Sequence, residues 1–220
     1  MELVMNKYFY GLREPMSAAT HFLAFLLMIP TFVLLVAKGA TFGSTQATIG
    51  YTVFGLSALL LYAASTIYHA STASNETNEL LRRIDHMMIF VLIAGSYTPV
   101  CIVALEKSQG LTLLAVVWGV AATGILMKLF WWSAPRFIST LSYVMMGWLA
   151  LFVFRPLVQA VGFSGISLLL LSGISYTVGA VIYATKKPNF NFKYFGFHEI
   201  FHVFVMVGTA FHVLFVCISL

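Results

Sequence analysis

What most constrains this chain is a succession of apolar runs. Each is about as long as a helix needs to cross a bilayer, roughly 20 residues. Seven can be marked out: 20–38, 49–69, 85–105, 111–131, 137–155, 164–184 and 196–218. They are continuously apolar and far longer than the roughly 10-residue alternating strands of a membrane barrel, so helices are expected. Composition agrees: 60% of the 220 residues are hydrophobic and 9% are charged, against about 25% charged in an ordinary soluble domain. A soluble fold of this size could not cover so much apolar surface. The expected fold is an all-α, seven-transmembrane helix bundle. Residues 1–19 are read as a short cytoplasmic N-terminal segment and 20–220 as a single transmembrane domain. Pro30 and Pro99 fall inside runs and predict kinks. The longest connection, about 70–84, is polar and holds Glu76, Glu79, Arg82 and Arg83. No connection has room for a soluble catalytic or ligand-binding domain. The first 20 residues lack an apolar core, so the first run is expected to serve as its own insertion signal.

The formal net charge is +5. In a soluble protein that would raise nucleic acid as a partner, but here the cations sit in short connections and read as topology signals. With seven crossings, Lys7, Arg13, Arg82, Arg83, Lys128, Arg136, Lys186, Lys187 and Lys193 share the N-terminal side, while Lys38, Lys107 and Arg155 lie on the other. Nine against three puts the N-terminus in the cytoplasm and the C-terminus outside. Cys101 and Cys217 form no CxxC pair, so they read as apolar packing residues rather than metal or redox groups.

Ionisable groups inside membrane runs are expensive and mark function by default. Here they gather at one face. The second run ends Ser65-Thr66-Ile67-Tyr68-His69, the third begins at Asp85-His86, and the seventh begins His198-Glu199-Ile200-Phe201-His202. His198 and His202 are four apart and share a helix face, a spacing that lets two imidazoles hold one metal ion. His69 is a candidate third ligand. Three nitrogens and an open position make a zinc site of the catalytic kind, though iron or nickel would also accept imidazole. Asp85 could hold a water at the metal or orient a ligand. Ser65, one turn before His69, could donate to an oxyanion. Glu199 completes a literal HExxH, where it would be a general base. The competing reading is an acid placed in a helix first turn by the macrodipole. His86 is read as packing or support. Glu14 and His21, at the same face, could support the site from behind. His212 lies 14 residues beyond His198, about 21 Å along a helix, too far to take part.

These residues resemble the haemolysin III family, the bacterial branch of the progestin and adipoQ receptor family, a group that also includes alkaline ceramidases. The resemblance is carried by Ser65-x-x-x-His69, by Arg83-Ile84-Asp85-His86 running to Ile93-Ala94-Gly95-Ser96-Tyr97-Thr98-Pro99, and by His198-x-x-x-His202, and it extends from about Arg13 to His212. It implies a seven-helix fold in a bacterial inner (plasma) membrane. It also implies a cytoplasmic-side zinc ion on His69, His198 and His202, with Asp85 holding the water at the zinc and Ser65 lining the site. The family pattern does not need a Glu within HxxxH, which counts against Glu199 as base. The receptor branch has a long cytoplasmic N-terminal region that this chain lacks, which counts against a hormone-receptor role.

The leading expectation is an intramembrane zinc hydrolase of a lipid amide or ester, with membrane lipids and a lipid-like substrate as partners and no nucleic acid. A non-enzymatic sensor or regulator of membrane lipid state is the alternative from another class. A membrane-permeabilising protein would need polar groups through the full depth of several helices, and an intramembrane metalloprotease would depend on Glu199.

Overall fold

A computed structural model of the chain describes residues 11–41, 44–131, 135–190 and 195–220. Helix α1 spans Pro15–Thr41 and α2 Thr45–Ala70; α3 spans Asn75–Pro99 and runs into a π-helical turn, Val100–Ala104. Helix α4 is Lys107–Phe130 and α5 is Arg136–Gly147, continued by a 3-10 turn, Leu149–Val153. Helix α6 is Phe154–Thr185 and α7 is Phe197–Ser219. The helices pack as a ring in chain order, with α1 closing against α7.

The bundle is apolar outside and carries its polar groups inside. Leu27, Val33 and Leu34 of α1 and Leu126 of α4 are exposed, while His21, Ser65, His69, Asp85, His202, Thr209 and His212 are buried. That arrangement suits lipid as the solvent, in which a helix satisfies its backbone internally. The protein is a multi-pass membrane protein. Where helices end, side chains take over: Ser44 accepts from the Ala47 amide, Ser74 from Thr77, and Glu106 from Ser108 and Gln109.

Inter-helix hydrogen bonds fix the packing. Tyr62 of α2 donates to Thr209 of α7 at 2.7 Å, and Tyr176 of α6 meets the same hydroxyl at 2.8 Å. At the end of the bundle remote from His69, Lys38 of α1 donates to the carbonyls of Val216 and Cys217 at 2.7 and 2.8 Å, capping α7.

Two expectations from sequence need correction. Residues 70–84 are not a long loop. Only Ser71–Ser74 connect α2 to α3, which begins at Asn75; Ser74 caps it, Glu76 lies in its first turn, and Arg83 pairs with Glu79 four residues back at 2.8 Å. Asp85 therefore sits well inside a helix rather than at its start. Helix α1 likewise begins at Pro15, not at 20; proline suits a first turn, where its missing N–H is harmless.

The count of spans also differs. Among the described residues six helical runs are long and apolar enough to cross a membrane, and the expected fifth and sixth spans, 137–155 and 164–184, fall within one of them, Arg136–Thr185. No polar loop divides that run. It is broken instead after Gly147, where α5 gives way to a 3-10 turn, and again at Gly162, whose φ of 67° only glycine adopts freely. The first break is held from α3: the Tyr97 hydroxyl donates to the Gly147 carbonyl at 2.6 Å and accepts from the Ala150 amide at 2.9 Å. Pro99 leads directly into the π turn, while Pro30 lies within α1. Lys7 and Lys193 lie outside the described residues.

Removing the Tyr97 hydroxyl takes a part-buried hydrogen-bond partner from the Ala150 amide and from the Gly147 carbonyl together. Tyr97→Phe is expected to destabilise the solubilised protein by about 1–3 kcal/mol, measured as a lowered thermal midpoint. An unchanged midpoint would show that the break holds without it.

Candidate metal centre

His69 is delivered by the last turn of α2, and His198 and His202 by the first two turns of α7. One ligand nitrogen from each lies within 4.8 Å of the others, a group that could hold a metal ion. His69 and His202 are buried and His198 partly so. The Nε2 atoms of His69 and His198 face each other at 3.3 Å.

The remaining nitrogens of two of these rings are engaged from α1. Glu14, just before that helix, accepts from Nδ1 of His69, and the Thr20 hydroxyl meets Nδ1 of His202 at 3.1 Å. With its Nδ1 occupied, His69 is left with Nε2 for the group. The Glu14 amide also donates to the His69 carbonyl at 3.0 Å, tying the start of α1 to the end of α2, and Arg13 lies over the Tyr68 ring at 4.5 Å. Burial pushes the Glu14 carboxyl up. The hydrogen bond to His69 and the charges of His69, Arg13 and His198 outweigh that and hold it below its ordinary value.

Ser17 donates to Glu199 at 2.5 Å, and Glu199 accepts from the Gly196 amide at 2.8 Å. Glu199 thus caps α7, as an acid in a first turn should. Its carboxylate is spent on the helix terminus, which leaves the HExxH base role without structural support. His21 stacks on His202, with centroids 3.6 Å apart and planes at 9°, and neither of its ring nitrogens makes a hydrogen bond of good geometry to any described residue.

Ser17, Thr20 and His21 share one face of α1, and Glu14, just before the helix, continues it at the same spacing, i, i+3, i+6 and i+7. Glu14 and His21 are singled out by sequence reasoning as possible support. Ser17 and Thr20 are missed, although a polar stripe at helical spacing in an otherwise apolar helix was a usable signal.

Asp85 and Ser65 line the same cavity as the histidines, a space of about 800 Å³ running into the bundle. Asp85 is buried with Ser65 and His69 as near polar neighbours and His86 Nδ1 at 3.5 Å. Ser65 Oγ makes no hydrogen bond of good geometry to any described residue. His86 is anchored apart from the trio, Nδ1 to the Arg82 carbonyl at 2.7 Å and Nε2 facing the Tyr183 hydroxyl at 3.4 Å. His212 donates from Nε2 to the Ser96 carbonyl at 2.9 Å and packs on Phe54, away from the metal group. Cys101 is buried and Cys217 exposed. From the inner end the cavity is walled by residues such as Val100, Leu157 and Ile166, so the histidines meet a largely apolar space.

The chain is similar to known proteins over nearly its whole length. The family model described as Haemolysin-III related matches residues 9–213. The "Hemolysin-3 homolog" of Bacillus subtilis (strain 168) is 41% identical over 209 residues, 94% of this chain and 95% of that protein. "Hemolysin-3" of Bacillus cereus is 39% identical over 207 residues, 93% of this chain and 90% of that protein. No solved structure matches. The chain belongs to the haemolysin III family.

Proposed function

We propose that the protein is an intramembrane zinc hydrolase of a lipid amide or ester, with seven crossings of the bacterial plasma membrane, its N-terminus in the cytoplasm and its C-terminus outside. The observation that carries the reading is the convergence of three imidazoles, with a carboxylate beside them, on the wall of a long apolar cavity.

Zinc fits the donor set. Zinc–nitrogen bonds of about 2.0–2.1 Å at tetrahedral angles set two ligand nitrogens about 3.3–3.4 Å apart, and the Nε2 atoms of His69 and His198 are 3.3 Å apart. Glu14 on His69 is the carboxylate that a ligating histidine usually has behind it. The crossing number follows from length. As one straight helix, the 50 residues of Arg136–Thr185 would extend about 75 Å, against a hydrocarbon core of about 30 Å. Two crossings with a bend between them fit the bilayer, and the break at Gly162 supplies a bend.

When bound, zinc supplies Lewis acidity and can lower the pKa of water to about 7. The chain's own residues do the rest. His69, His198 and His202 hold the ion, with Glu14 and Thr20 fixing the orientation of two of the rings. Asp85 accepts the proton of the attacking water and passes it to the leaving group. Ser65, beside Asp85 and without a hydrogen bond of good geometry to any described residue, donates to the developing oxyanion. The apolar wall takes an acyl chain and keeps bulk water from it.

The printed names of the relatives favour a second reading, a membrane-permeabilising protein. Against it stands the gathering of the cavity's carboxylates, Glu14, Asp85 and Glu199, and of the histidine trio at one end of the bundle, with His212 deeper in the cavity held by the Ser96 carbonyl. A regulator of lipid state with a purely structural metal is the outcome left if no turnover is found.

Three measurements test this. C-terminal reporter fusions should be active only as the outside-type reporter; a cytoplasmic C-terminus would sink the seven-crossing arrangement. Purified protein should hold one zinc per chain. His202→Ala should lose most of it, Glu14→Gln should weaken binding about 10–100-fold in chelator competition, and His212→Ala should leave it unchanged. Equal metal content in all three variants would rule out this ligand set. Reconstituted protein given ceramide-like amides, phospholipids and acyl esters should release fatty acid, and Asp85→Asn should lower the rate at least 100-fold while keeping its zinc. Equal release by wild type and Asp85→Asn would exclude the hydrolase.

A further inference from the structure

Cations at one end of a membrane bundle are ordinary, and several here stand apart from the cavity. Arg83 pairs with Glu79, and Lys186 and Lys187 are exposed beyond α6. Three others are different. Arg82 of α3, Lys128 of α4 and Arg136 at the start of α5 all border the cavity near the histidines. Arg82 and Arg136 are exposed at its mouth. Lys128 is only 5% exposed and forms part of the wall, a rare position for lysine.

The three converge on one place. Lys128 lies within electrostatic range of Arg82 and of His86. Arg136 lies over the ring of Tyr183 at 5.1 Å, and the Tyr183 hydroxyl is 3.4 Å from His86 Nε2. Carboxylates also border the cavity, but two are engaged on its α1–α7 side: Glu14 with His69 and Arg13, and Glu199 with Ser17 and the α7 terminus. Asp85, on α3 itself, has Ser65 and His69 as neighbours and His86 at 3.5 Å. Among the described cavity residues, the α3–α4–α5 side therefore sets three cations against one carboxylate, an excess of positive charge next to the histidine trio and at the head of an apolar cavity.

We propose that Arg82, Lys128 and Arg136 bind the phosphate of a lipid whose acyl chain lies in the cavity, so that the site takes phosphate-bearing anionic lipids in preference to zwitterionic ones. Two guanidinium forks and an ammonium match a phosphate in shape and charge, and about 800 Å³ of largely apolar space continues from them into the bundle. Calling this lipid the substrate rests on the hydrolase reading above; its binding does not.

The test measures equilibrium binding to the purified, detergent-solubilised full chain. Three probes are compared: lysophosphatidic acid, lysophosphatidylcholine of the same acyl chain, and glycerol 3-phosphate. Lysophosphatidic acid should bind at least tenfold more tightly than lysophosphatidylcholine, and glycerol 3-phosphate at least 100-fold more weakly than lysophosphatidic acid. The paired change Lys128→Gln with Arg136→Gln should abolish the preference between the two lipids, while the charge-matched Arg83→Gln should keep it. Should loss of the buried Lys128 prevent folding, Arg82→Gln with Arg136→Gln, both at exposed positions, carries the same expectation. Equal affinity for the two lipids, or an undiminished preference in the paired variant, would overturn the proposal. Glycerol 3-phosphate binding as tightly as lysophosphatidic acid would assign the site to a soluble anion and overturn it as well. A clear lipid preference without fatty-acid release would remove the hydrolase and leave the binding site in place.

Discussion

A polar group inside a bilayer has no water to fall back on, and the architecture of this protein follows from that constraint. Each polar side chain that enters the bundle needs a partner on another helix or a place on the cavity wall. Tyr62, Tyr176 and Thr209 satisfy one another across α2, α6 and α7. Glu14 and Thr20 meet Nδ1 of His69 and of His202, and Nε2 of His69 is left facing Nε2 of His198. The same demand that stabilises the bundle thus aims the candidate ligands.

Much of the candidate site was legible because polar residues stand out against apolar runs. His69, Asp85 and the His198/His202 pair could be found by their positions near run ends, and the four-residue spacing placed two of them on one helix face. What they touch was not legible. Nothing local in Glu14, Ser17 and Thr20 says that His69, Glu199 and His202 are their partners, because those contacts depend on α1 lying between α2 and α7. Glu199 shows the opposite case: its local role as a helix cap competed with a motif reading, and the local role prevailed.

The fold was read well where hydropathy is uniform and less well where it is not. The first turns of α3 are polar and look like a loop, yet a serine cap and an i, i+4 ion pair keep them helical. The reverse holds between α5 and α6, where an apolar run conceals two breaks. The break after Gly147 is stabilised by Tyr97, fifty residues earlier in the chain, and no periodicity within 136–185 could announce it.

Helix α7 follows every other described helix in the chain, and α1 precedes them. These two are joined near both ends, through Thr20, Ser17 and His21 at one and Lys38 at the other. During synthesis, therefore, α1 enters the membrane with its polar stripe and Lys38 still lacking their α7 partners, and His69 arrives without its companion imidazoles. The ring closes, and the three imidazoles come together, only once α7 has been made. Assembly of the histidine trio is in this way a late event in biogenesis, coupled to the synthesis of α7 rather than to insertion of the early helices.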